Sequence, residues 1–103
     1  MAARTLQLPR LVAGRDFAAD LARSIGEVSE GDVIVDGSRL LSGTPSFAAE
    51  LVQQLLVDGK ARSLLLVGAP ADFAGYVTAA VRELGVTDRF DLTEQLPHSA
   101  AAS

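Results

Sequence analysis

The chain has 103 residues, 49% of them apolar, which is enough for one domain with a buried core. It contains no cysteine, which excludes disulfides, thiolate metal sites and thiol nucleophiles, and a cytoplasmic location is the expectation. A net charge of −4, from 13 acidic and 9 basic residues scattered along the chain, offers no cationic stripe for phosphates, so no direct nucleic-acid partner is expected. The longest apolar runs, Leu64–Val67 and Leu51–Val57, are too short to cross a bilayer and the N-terminus carries no apolar signal core, so neither membrane insertion nor export is expected.

In chain order, Thr5–Leu8 alternates polar and apolar residues and stops at Pro9, which predicts a short strand near a sheet edge. After Gly14, Phe17, Leu21, Ile25 and Val28 recur at helical spacing and predict a first amphipathic helix. Val33–Val35 is a continuous β-branched run leading into Asp36, which suits a central strand covered on both faces. The polar loop Gly37–Gly43 follows, and then Thr44 is a good N-cap with Pro45 at the first helical position, where its missing N–H costs nothing. Phe47, Leu51, Val52, Leu55 and Leu56 form the apolar face of this second helix, and Gly59 is expected to end it in a left-handed conformation.

Ser63–Val67 reads as the next strand, and Gly68-Ala69-Pro70 turns into a third helix that buries Phe73, Val77, Val81 and Leu84 before Gly85. Arg89–Thr93, with Phe90 and Leu92 inward, completes the pattern as a last strand. The order β-α-β-α-β-α-β defines an α/β single domain with a mixed or mostly parallel sheet and helices packed against it. Residues 1–95 form the domain, and 96–103 is a small-residue tail expected to be mobile.

Little in the chain points to catalysis. The only histidine, His98, falls in the tail, which leaves a serine nucleophile without a base, and neither of the common glycine-rich phosphate loops follows a strand. No metal site, cofactor or enzyme activity is expected. Asp36 at a strand end invites a phosphoacceptor reading, but that chemistry also calls for an acidic pair for Mg²⁺ and a placed lysine; the plainer reading is that Asp36 caps its own loop. The informative segment is Asp36 to Phe47, a hydroxyl-rich loop running into a helix N-terminus, where the helix dipole would tolerate a phosphate on Ser42, Thr44 or Ser46. Against that, Thr44 as a plain cap with Ser46 in the first turn needs no regulation at all.

A strand ending in Asp36, a short loop and hydroxyl residues opening an amphipathic helix resemble the STAS domain. Ser46-Phe47-Ala48-Ala49-Glu50-Leu51 is closer to the STAS-like variant of that family, and Val81 to Phe90 is similar to its helix-glycine-strand passage. The resemblance spans about Asp32 to Leu92. The position of the phosphorylated serine in anti-sigma factor antagonists falls on Pro45, so a switch here would use Thr44, Ser46 or Ser42 instead. The resemblance implies a non-enzymatic protein-interaction module. It would dock through Ser38, Arg39, Ser42, Gly43, Thr44, Ser46, Ala49, Glu50 and Gln53 onto an anti-sigma factor of the Ser/Thr kinase type or another signalling protein. Two other readings stay open: a STAS accessory subunit of an ABC-type or anion transporter, and a small-molecule or nucleotide-binding domain using the crevice beyond the strand C-termini. A homodimer through a sheet edge or helix face also stays open.

Overall fold

The computed structural model describes residues 3–93, so the expected tail at 96–103 lies outside the described residues. The described chain is an α/β domain. Its main sheet has four strands, β1 (Arg4–Gln7), β3 (Asp32–Asp36), β5 (Ser63–Val67) and β6 (Phe90–Thr93), all parallel and in the order β1-β3-β5-β6. Helix α1 (Arg15–Ser24) connects the first pair, α2 (Pro45–Val52) the second and α3 (Ala71–Glu83) the third. Because spatial order follows sequence order, every right-handed crossover steps in the same direction and sets its helix on the same face. The helices accordingly form one layer, with α2 in the middle, packed against α1 on one side and α3 on the other.

The core lies between that layer and the sheet. Leu6, Val33, Val35, Leu64 and Leu66 point into it from the strands. Ala18, Ala22, Phe47, Leu51, Phe73, Val77 and Val81 meet them from the helices. Phe47 is the keystone of the helical layer: fully buried, its ring lies 5.8 Å from Phe17 and 6.0 Å from Phe73, both tilted, so it joins all three helices. Such tilted pairs contribute roughly 0.5–1.5 kcal/mol beyond the area they bury.

The central position of β3 agrees with its apolar run, but coverage on both faces does not. Ile34 and Leu65, paired in register, are half-buried and stand outside the core, because no helix covers their side of the sheet. The first helix is shorter than its apolar spacing suggested: it ends at Ser24, Gly26 takes φ 77°, and Val28 is buried from the connection rather than from the helix.

The second helix runs into a π-helical turn, Gln53–Asp58. Gly59 is not left-handed, with φ −79°; Lys60 takes that conformation instead, at φ 58°. Gly59 serves a close approach, since a Cβ there would sit 2.6 Å from the Gln54 carbonyl oxygen and 2.8 Å from Val28. Leu84 and Leu92, expected inward, are 37% and 45% exposed; Leu84 stands just past the end of α3, and Leu92 lies on an edge strand.

A small ladder was not anticipated within the loops. Strand β2 (Leu11–Val12) pairs in parallel with β4 (Ser42–Gly43), inside the stretch read as an irregular polar loop. Two residues per strand carry no periodicity to detect, and the pairing brings together segments some thirty residues apart. Its inner side is well packed: a Cβ on Gly43 would lie 2.6 Å from the Phe73 ring and 3.0 Å from Val12.

Candidate functional site

The β3–α2 segment is fixed by local hydrogen bonds. Asp36 Oδ1 accepts from the Ser38 N–H at 2.9 Å, and the Leu40 N–H donates to the Gly37 carbonyl at 3.0 Å. The Ser38 hydroxyl and N–H, the Gln7 side chain and the nearby charge of Arg39 hold the Asp36 carboxyl below its ordinary pKa. Asp36 therefore acts as the cap of its loop, as the plainer reading had it. The loop also packs on the next strand end: ideal Cβ atoms at Gly37 and Gly68 would lie 3.0 Å from Ala69 and 3.3 Å from Ser38 respectively. At Gly68, φ of 65° adds a second reason for glycine.

Beyond the loop, the Leu41 and Ser42 N–H groups donate to the Arg10 carbonyl at 2.7 and 3.1 Å, which starts the small ladder. Thr44 then takes an extended conformation and its Oγ1 accepts from the Phe47 N–H at 3.2 Å, with Pro45 at the first helical position. Both parts of the expected N-cap are present. The Ser46 hydroxyl lies 3.3 Å from Thr44 Oγ1.

These bonds sort the expected docking residues into two groups. Ser38, Arg39 and Ser42 are exposed at the C-terminal end of the sheet. Gly43, packed against Phe73 and Val12, is half-buried, and so are Thr44, Ser46, Ala49, Glu50 and Gln53, because α2 is the middle helix and has neighbours on both sides. Glu50 is 18% exposed at its side chain; it pairs with Arg15 at 3.4 Å and accepts from Gln54 Nε2 at 2.7 Å. Gln53 donates to Asp58 Oδ1 at 3.0 Å. Ala49, Glu50 and Gln53 line a cleft of about 170 Å³ with Arg15 and Leu84.

Among the three candidate switch hydroxyls, Thr44 is committed to the cap and Ser46 lies against it, whereas the exposed Ser42 makes no side-chain hydrogen bond among the described residues. The crevice beside it, lined by Leu41, Gly43, Asp72, Phe73 and Tyr76, measures about 100 Å³. Sites for drug-sized ligands run from roughly 300 Å³; a larger cleft, of about 480 Å³, lies at the C-terminal ends of β5 and β6 and is lined by Leu66, Ala69, Ala71, Ala74, Leu92 and Thr93. Among the described residues no three His, Cys, Asp or Glu side chains gather as a metal site would need, and no helix is long and apolar enough to cross a membrane.

The sequence reading missed two residues here. Leu41 is 71% exposed and Leu11 66%, the largest values for any large apolar side chain among the described residues. Leu11 could not be placed beside the loop without the β2–β4 pairing. Comparison with family models, curated proteins and solved structures returns no match.

Proposed function

We propose that the chain is a cytoplasmic, non-enzymatic protein-docking module that presents the β3–α2 segment to a partner. One observation carries this reading: a segment held by the Asp36–Ser38 bond and by backbone bonds to Gly37 and Arg10 leaves Ser38, Arg39, Leu41 and Ser42 to solvent. Pre-ordered polar groups around an exposed apolar side chain suit a protein surface, because little conformational entropy remains to be lost on binding. The resemblance of this segment to the STAS and STAS-like families makes an anti-sigma factor kinase or a related signalling protein the partner, with a transporter ATPase as the second reading.

A phosphate would act best on Ser42. It is the accessible hydroxyl, and a dianion there would change the charge of the presented surface without removing the helix cap. Affinity capture from the native cell with wild type and a Ser42→Glu variant, read by mass spectrometry, tests the proposal. A kinase or anti-sigma factor held by the wild type and lost by the variant supports it. A transporter ATPase would favour the second reading, and the same proteins retained by both forms would remove the switch.

A further inference from the structure

The two edges of the main sheet are finished differently. The strand register sets Leu6, Val35, Leu66 and Leu92 in one row across the helix-facing side. The first three are buried, so on edge strand β1 the row is closed, with Arg4, Thr5 and Gln7 as the polar residues that discourage pairing at an edge. At the other edge the row is left open: Leu92 on β6 is 45% exposed and lines the cleft of about 480 Å³ beside α3. The backbone sense of β6 is fixed by the Gly68 N–H, which donates to the Thr93 carbonyl at 2.9 Å. Thr93 and Asp91 therefore turn their backbone groups toward β5, and Phe90 and Leu92 turn theirs to the outer edge, because successive residues of a strand face alternate neighbours. The Phe90 N–H is already used, donating to the Thr87 carbonyl. The Leu92 N–H meets the carboxylate of its neighbour Asp91 at 2.8 Å, and no strand lies beyond β6 among the described residues.

From this open edge we propose that β6 pairs antiparallel with β6 of a second copy about a twofold axis at Leu92, joining the two four-stranded sheets into one. Residues directly opposite in an antiparallel pair share a face, and bonded pairs alternate with non-bonded ones, so few symmetric registers are possible. Centred on Phe90, the pair needs an N–H that Thr87 already holds. Centred on Asp91, it sets carboxylate against carboxylate, a destabilising arrangement, and must bond through the Phe90 N–H again. Centred on Leu92, each Leu92 N–H leaves its Asp91 carboxylate and donates to the other copy's Leu92 carbonyl. The two Leu92 side chains then pack together at the mouth of the cleft and carry the apolar row across the axis, while Asp91 faces Thr93 rather than its own copy. That self-complementary register is what makes the occupant a second copy: one patch serves both partners, as a twofold interface requires. The pairing goes beyond the docking reading and is independent of it, since β5 stands between β6 and β3.

Strands of four residues make a small interface, so the dimer should dissociate on dilution, in the transient class below about 1,200 Å². Sedimentation velocity over a concentration series of the full chain should pass from monomer to dimer. Backbone amide shifts of residues 90–93 should move along the same series while those of residues 4–7 stay. Each copy carries a net charge of −4, so added salt should tighten the dimer. Leu92→Lys and Leu92→Pro should each weaken it about tenfold or more. Proline removes an N–H that the ladder to β5 does not use, and lysine keeps the backbone intact, so Leu92→Lys should melt with the wild type at the dilute end, where both are monomers. Asp91→Ala releases the Leu92 N–H and should tighten the dimer. A chain that stays monomeric throughout the series, a dimer that Leu92→Lys leaves intact, or moving amides confined to other residues would each overturn the pairing.

Discussion

Thr44 is where a structural role and a regulatory one can be separated by measurement. Its Oγ1 accepts the Phe47 N–H at 3.2 Å, and Phe47 is the fully buried ring that joins all three helices. Thr44→Ala removes the acceptor and leaves that N–H at the part-buried start of α2. Losing a side-chain cap costs typically about 1 kcal/mol, with a range of roughly 0.5–2. In a domain of about this size 1 kcal/mol corresponds to roughly 4–8 °C in melting temperature. Thr44→Ser and Thr44→Asp keep an oxygen in place and should lose only a small part of this. Ser42→Ala touches no bond and should stay within about 0.5 kcal/mol of wild type. Thermal and urea unfolding followed by circular dichroism give the comparison. If Thr44→Ala melts with the wild type, or Thr44→Ser falls as far as alanine, the cap does not carry the stability assigned to it, and Thr44 returns as a candidate switch.

The packing of the small ladder makes Gly43→Ala costly: the new methyl would press on the Phe73 ring at 2.6 Å, and because Phe73 is fully buried the strain should appear as about 1–3 kcal/mol lost in urea unfolding. Glu50→Lys replaces the partner of Arg15 and Gln54 with a second cation on a largely covered side chain and should cost about 1 kcal/mol; an unchanged midpoint would mean that α1 and α2 are joined by apolar packing alone. Asp32 binds the Arg62 guanidinium at 3.0 and 2.7 Å and the Ser63 hydroxyl at 2.7 Å, which lowers its pKa from 3.8 to about 2. A depressed folded-state pKa stabilises fully above the unfolded value and is lost as pH falls through the folded one. The advantage of wild type over Asp32→Asn should therefore be full well above pH 3.8, shrink below it and be lost as pH falls through about 2, and a gap that persists at the acid end would show that charge is not its source.

Much of the fold was legible because it is written in local pattern. The apolar runs Val33–Val35 and Leu64–Val67, the Thr44-Pro45 start signal and the helical spacing of Phe73, Val77 and Val81 each depend on neighbours within a few residues, and each recurs in the structure as read. What pattern could not decide was which side of the sheet the helices would take. A continuous apolar strand looks the same whether one face or both are covered, so Val33–Val35 suits coverage on both faces, yet the sequential strand order puts every helix on the face opposite Ile34.

The candidate site divides along the same line. Asp36 as loop cap and Thr44 as helix cap were determined by residue type and position, since both bonds reach only two or three residues along the chain. The half-burial of Glu50 came from α2 being the middle helix, which only the assembly of three crossovers sets. The placing of Leu11 beside Ser42 came from a ladder two residues long between distant segments. Contacts within a turn are encoded by adjacent residues, whereas contacts between turns exist only once loop closure has brought the segments together and packing has held them there.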